Sequence, residues 1–167
     1  MGIRQTVTGW RRARRLRRPS SYARVAPWLL VGPALDAAGY ARLAGEGITH
    51  VLDLRSEASD DPEVMAGLGL EWRRVPVDDR RAPTDHQLAA INQWISESDV
   101  EQPVVYVHCQ GGLGRSPTLA TALLMQRGFN RSEAHRFILA GRPAASPTPD
   151  QDAWLAVIES ELQRLSG

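Results

Sequence analysis

The residues able to do chemistry gather in one stretch, Val104-Val105-Tyr106-Val107-His108-Cys109-Gln110-Gly111-Gly112-Leu113-Gly114-Arg115-Ser116, which holds the only cysteine of the chain. An apolar, β-branched run followed by a glycine-rich turn and a helix start is the layout of an anion cradle. Gly111, Gly112 and Gly114 let the backbone turn tightly with its N–H groups pointing inward, and the N-terminus of the next helix reinforces them. The guanidinium of Arg115 closes the ring with planar, bidentate donors for phosphate oxygens. The same inward dipoles favour a thiolate on Cys109. A nucleophile and an oxyanion trap thus share one loop, and displacement at phosphorus is the chemistry they suit.

Breaking a phosphate monoester also requires a proton for the leaving oxygen, and a positioned carboxylic acid there contributes roughly 10²–10⁴ in rate. Asp78 and Asp79 stand side by side in the polar loop Asp78-Asp79-Arg80-Arg81-Ala82-Pro83 and are both candidates. Arg80 and Arg81 would either depress the pKa of that acid or lie at the rim and attract anionic substrates.

His108-Cys109, five intervening residues, then Arg115-Ser116 between strand and helix resembles the signature of the Cys-dependent protein tyrosine phosphatase superfamily. Residues His108 to Pro117 look most like the small dual-specificity phosphatases and the phosphatases of regenerating liver. The likeness extends over about residues 26–155, including Gly-Ile-Thr-His-Val-Leu-Asp-Leu at 47–54. It implies a protein tyrosine phosphatase-like α/β fold and a metal-independent hydrolase with no cofactor, working through a cysteinyl-phosphate. Cys109 is then the nucleophile, and Gln110, Gly111, Gly112, Leu113, Gly114 and Arg115 hold the phosphate. The family pattern of Pro, aliphatic, any residue, Asp falls on Pro76-Val77-Asp78-Asp79, so Asp79, 30 residues before Cys109, is the expected acid and Asp78 the alternative. Ser116 would ease departure of the sulfur, and His108 would support the thiol from behind. Relatives often carry a glutamine early in the last helix. Here Gln151 is nearest, with Trp154 a rival for that place.

The elements that must position these groups follow from periodicity and capping. Strands are expected at Trp28–Val31, Ile48–Leu54, Glu71–Val77 and Val104–Val107, the third near an edge because of Pro76. Helices are expected over residues 37–45 behind Asp36, at about 60–68, from Thr84 or Asp85 to 98, from Ser116 to 127, from Ser132 to 141 and from Thr148 onward. Alternation of strands and helices predicts an α/β domain with a central, mainly parallel sheet of four to five strands flanked by helices. The unbroken apolar run 104–107 belongs in its middle, and His50, inside another apolar run, is expected to be structural.

At 167 residues, with 43% hydrophobic and 23% charged residues, the chain suits a single globular domain. One cysteine allows no internal disulfide and fits a reducing, cytoplasmic setting. His50, His86, His108 and His135 lack zinc-ligand spacing, so no metal site is expected. All 20 basic residues are arginine, and seven lie within residues 1–18 without an acid. Residues 1–20 therefore form a basic arm able to meet an acidic membrane surface or nucleic acid, and residues 21–167 form the catalytic domain.

The expected substrate is a protein carrying phosphotyrosine, with phosphoserine or phosphothreonine too. Phosphoglycans, nucleotides and RNA 5′-phosphates are the alternatives, and the absence of lysine argues against inositol lipids. A rhodanese-like sulfurtransferase and a non-catalytic phosphate-binding module are the rival classes.

Overall fold

The computed structural model describes residues 22–167, so the arm expected at residues 1–20 lies outside the described residues. The elements are β1 (Ala23–Ala26), β2 (Leu29–Pro33), α1 (Ala37–Gly45), β3 (His50–Arg55), α2 (Pro62–Gly67), β4 (Glu71–Val77), α3 (Asp85–Ser96), β5 (Val105–Cys109), α4 (Arg115–Gln126), α5 (Arg131–Gly141) and α6 (Pro149–Ser166). The strands form one sheet in the order β1-β2-β5-β3-β4. Among the described residues only the β1–β2 pair is antiparallel.

Strand β5 is buried along its whole length because both of its faces are covered. Successive side chains alternate across a strand. Val105, Val107 and Cys109 therefore enter the larger core, with Leu88 and Ile91 of α3, Leu119 and Leu123 of α4 and Leu155 of α6. Tyr106 enters the smaller core, with Tyr40 and Leu43 of α1 and Met65 of α2. The same alternation sends Cys109 and His108 to opposite faces of the sheet.

Helix starts match their local chemistry. Asp36, Asp61, Thr84 and Thr148 each cap a helix through the side chain, a contact worth about 1 kcal/mol. Helix α5 starts earlier than expected, since Asn130 rather than Ser132 is its cap and forms a capping box with Glu133. β1 is an addition, and β2 runs on through Gly32-Pro33, where Pro33 pairs in register with Cys109. Pro76 does lie in an edge strand.

His50 pairs with Val105 at the far end of the sheet from Cys109. Its Nδ1 lies 2.7 Å from Thr49 Oγ1, its ring meets Trp94 edge-on at 5.0 Å, and burial lowers its pKa. These contacts are structural.

Candidate active site

The loop after β5 is fixed by what happens to its carbonyls. Gln110 O accepts from Ala34 N at 3.2 Å, Leu113 O from Ser146 N at 2.9 Å and Gly114 O from Thr118 N at 3.0 Å. Between them, Arg142 donates from Nη2 to Gly111 O at 2.9 Å and from Nε to Gly112 O at 3.1 Å. In a planar trans peptide the next residue's N–H points opposite to the carbonyl. Holding each carbonyl from 110 to 114 outward therefore turns the N–H groups of 111 to 115 inward. Left unpaired, a buried carbonyl costs about 1–3 kcal/mol, so this orientation is strongly preferred. Gly112 adopts φ 68°, and a Cβ there would collide with the backbone of Gly32, so only glycine serves.

Cys109 is 3% exposed and sits at the base of this loop. Its Sγ accepts from Gly112 N at 3.3 Å and lies 3.3 Å from Ser116 Oγ. Ser116 has one hydroxyl hydrogen, and Gly32 O, also 3.3 Å away, competes with Sγ for it. A serine that can turn its hydrogen toward the sulfur suits the stabilisation of a departing thiolate.

Arg115 opens α4 and is itself buried, at 3% exposure. Glu57 grips its guanidinium bidentately, at 2.7 Å on both Nη1 and Nη2, and Val77 O accepts from Nη1 at 2.9 Å. The Arg115 hydrogen bonds hold the Glu57 carboxyl down to about 2. That grip fixes the plane of the guanidinium before any anion arrives.

The two candidate acids occupy the loop after β4. Asp79 Oδ1 lies 3.7 Å from Arg115 Nη2 and its side chain is 77% exposed. Asp78, also exposed, has its carbonyl bonded to Arg81 N at 3.0 Å. The structure thus sets Asp79, rather than Asp78, beside Arg115. Among the described residues Arg80 is the one non-glycine residue with positive φ, at 66°. Such a conformation persists only where the surroundings hold it. Here α6 does so: Thr148 Oγ1 donates to Arg80 O at 2.8 Å, Gln151 Nε2 to Arg81 O at 3.1 Å, and Asp150 accepts from Ala82 N at 3.0 Å. A hollow of about 450 Å³ beside Asp79 is lined by Arg80, Arg81, Thr148, Pro149 and Asp150.

His108 lies behind the cradle, with Nδ1 3.3 Å from the carbonyl oxygen of Cys109 and Nε2 2.7 Å from Asp60 Oδ2. Gln110, named for its backbone, also takes a contact from Arg55 Nη1 on its side chain at 3.4 Å. Leu113 stays 42% exposed at the mouth. Fully buried Gln151 reaches the acid loop and lies against Gly114. Trp154 instead donates to Asp85 at 2.8 Å.

Glu57, Asp60, Arg142 and Thr148 are partners that sequence reasoning did not assign to the site. Arg142 follows α5 in a proline-punctuated turn, 33 residues after Cys109, and no local signal distinguishes it from a surface arginine. For Glu57 the one available cue was its place just past the C-terminal end of a buried strand, where α/β sheets bind ligands.

A thiol at the floor of an N–H-lined loop, a gripped arginine at its edge and a carboxylate above it define a cysteine-based phosphatase site on a mostly parallel sheet. Residues 33–157 match the family described as PTP-SAK: Swiss Army Knife protein, DSP-PTPase phosphatase domain. The chain is 30% identical over 152 residues to dual specificity phosphatase 28 of Homo sapiens, covering 89% of this chain and 83% of that protein. It spans 23–35% of the length of three longer curated dual specificity phosphatases that it also matches. Among solved structures, Tk-PTP in the active form aligns with a TM-score of 0.74 and 29% identity, over 84% of this chain and 97% of that one. PTPMT1 in complex with PI(5)P aligns at 0.77 and 25% identity, over 87% and 99%. The chain belongs to the DSP-PTPase phosphatase family and is a phosphomonoester hydrolase with a protein tyrosine phosphatase fold.

Proposed function

We propose that the chain hydrolyses phosphotyrosine in proteins, and phosphoserine or phosphothreonine as well, in two displacements at phosphorus. In the first, Cys109 thiolate attacks in line, the P–O bond to the leaving group breaks, and the Asp79 carboxyl gives its proton to the departing oxygen. The N–H groups of 111 to 115 and the Arg115 guanidinium hold the equatorial oxygens. In the second, Asp79 carboxylate takes a proton from water as its oxygen attacks phosphorus. The P–S bond breaks, and the thiolate leaves with a hydrogen bond from Ser116. Positive charge is supplied throughout by Arg115 and backbone dipoles.

The observation that carries this mechanism is the outward tethering of the carbonyls of 110 to 114 around Sγ. The exposed setting of Asp79 suits a group that must exchange protons with water between steps. The hollow beside it, edged by Arg80 and Arg81 and by Asp150, leaves room for residues that flank a phosphorylated side chain, and the likeness to dual specificity phosphatase 28 supports the same substrate. An inositol phospholipid is the second substrate class, favoured by the likeness to the PTPMT1 complex and opposed by the absence of lysine. A lone, unprotected nucleophilic thiol fits a reducing, cytoplasmic setting. The arginine arm adds electrostatic attachment to an acidic surface.

The test is metal-free hydrolysis of an aryl phosphate, then of phosphotyrosine and phosphoserine peptides and PI(5)P. Cys109→Ser should lose roughly 10⁴-fold or more in kcat. Wild-type turnover by that variant would refute the mechanism, and preference for the lipid would refute the substrate class.

A further inference from the structure

Behind the nucleophile lies a buried charge cluster that the two displacements do not use. Asp53 and Arg55 come from β3, Asp60 from the loop before α2 and His108 from β5, and none is more than 8% exposed. Arg55 bridges the two acids. Its Nε and Nη2 each donate to Asp53 at 2.9 Å, and Nη2 also donates to Asp60 Oδ1 at 2.8 Å. One guanidinium against two carboxylates leaves one negative charge, and isolated buried charge is among the costliest features a fold can hold.

The balancing charge can be located from hydrogen-bond roles. Tyr40 donates to Asp60 Oδ1 at 2.8 Å, and burial together with Asp60 pushes its phenol far above the ordinary range, so it stays neutral. Trp72 Nε1 donates at 3.3 Å without charge. His108 remains. Its Nε2 faces Asp60 Oδ2 at 2.7 Å, which only accepts, and the Tyr40 oxygen at 3.1 Å, whose single hydrogen goes to Asp60, so Nε2 carries hydrogen. Its Nδ1 lies 3.3 Å from Cys109 O, which only accepts, so a hydrogen on Nδ1 completes that bond, and the Asp53 carboxylate 4.0 Å away favours the added charge. An imidazolium brings the cluster to zero net charge. Burial alone would raise the Asp60 carboxyl, but the bonds from His108 and Tyr40 and the charge of Arg55 outweigh it and hold it low. Ligand atoms of Asp53, Asp60 and His108 come within 4.8 Å of one another, a spacing that would also suit a cation, yet Arg55 already joins the two carboxylates.

We propose that Asp60 is a positioning residue of the reaction: by pairing with His108 it maintains a cation against the Cys109 main chain, and that cation favours the thiolate. This rests on Cys109 being the nucleophile. Asp60 stands 49 residues before Cys109 and touches neither the sulfur nor the cradle; it bears on the thiol through the imidazole, and the His108→Gln background separates that route from the one that runs through Arg55 to the Gln110 side chain. The other ionisable groups facing His108 are Asp53, Arg55, Tyr40 and Tyr106, whose ring stacks on it at 5.6 Å and whose phenol burial holds neutral. Arg115 and Arg142 also act on the sulfur, and neither is bonded to Asp60.

Asp60→Asn keeps the shape while removing the charge, leaving Asp53 and Arg55 balanced and His108 neutral. Alkylation of Cys109 by iodoacetamide at about pH 6 should slow about tenfold, and its pH profile should move up by about one unit. The acidic limb of kcat/KM for an aryl phosphate should move with it, converging with wild type above about pH 8. In a His108→Gln background the same substitution should change alkylation by less than about twofold. Tyr40→Phe, neutral in both forms, should leave the profile in place. Imidazole ¹⁵N signals should show both nitrogens of His108 protonated at about pH 7 in wild type and one in Asp60→Asn.

A wild-type alkylation profile in Asp60→Asn would overturn the proposal, as would an equal loss in the His108→Gln background. If Asp60→Asn does not fold, a neutral His108 in the wild-type spectrum overturns it. Alkylation needs no turnover, so an inactive wild type with the expected profile would instead refute the phosphatase mechanism.

Discussion

The cradle and the acid loop face the same phosphate but are built in opposite ways. Around Cys109 each carbonyl from 110 to 114 has a donor, Cys109 and Arg115 are each 3% exposed, and Glu57 fixes the guanidinium plane. Around Asp79 the side chain is 77% exposed, its Arg115 contact is 3.7 Å, and the loop hangs from the first turn of α6 by a few bonds. Stabilising charge that develops on phosphoryl oxygens demands dipoles already in place, since reorganising them would consume the stabilisation. Delivering and then collecting a proton demands access to water. Rigidity belongs to the first task and exposure to the second.

Four outcomes would break or sharpen that contrast. Asp79→Asn should lower kcat for an aryl phosphate by about 10²–10³, with Asp78→Asn within about threefold of wild type. Equal small losses would remove the acid assignment and leave the cradle standing. Arg142→Met removes two charged donors from cradle carbonyls, and kcat/KM and inhibition by inorganic phosphate should both weaken by about 10–100-fold. Loss of turnover with unchanged phosphate inhibition would mean that Arg142 does not shape the cradle. Gln151→Ala removes a bond to the acid loop but only a van der Waals neighbour of Gly114, so it should cost about three- to tenfold in kcat while phosphate inhibition stays within twofold.

The smallest effect concerns Glu57. Its folded carboxyl titrates at about 2 against an ordinary 4.5, so the stabilisation is complete above about pH 4.5 and is lost as pH falls through about 2. The Tm gap between wild type and Glu57→Gln should shrink over that window. Because the Glu57 side chain is 43% exposed, solvent screening keeps the gap small. A gap constant from pH 6 to pH 2 would show that the ion pair contributes nothing.

Legibility in the sequence followed the range of the interactions. Asp36, Thr84 and Thr148 announced their helices because a cap acts within three residues. The apolar run before Cys109 announced a strand covered on both faces. β1 escaped notice because Ala23-Arg24-Val25-Ala26 is too short and too mixed to show a period, and it exists only by pairing with β2. Asn130 and Ser132 are both good caps, so local sequence did not choose between them, and the box with Glu133 settles the start on Asn130.

By itself the sequence determined the loop and its chemistry: Cys109, the glycines, Arg115 and Ser116 lie within eight consecutive residues, and strand-turn-helix order fixes their arrangement locally. It also determined the spacing of Asp79 from the cysteine. Only the tertiary structure decided what holds these groups in place. Arg142, Glu57, Gln151 and Asp60 stand 33, 52, 42 and 49 residues from Cys109. Glu57 and Asp60 arrive because parallel strands deliver their C-terminal ends, and the loops beyond them, to one edge of the sheet, whereas Arg142 and Gln151 arrive because α5 and α6 pack against α4. Alternation across β5 then divides the work, placing the sulfur on one face of the sheet and its buried charge cluster on the other.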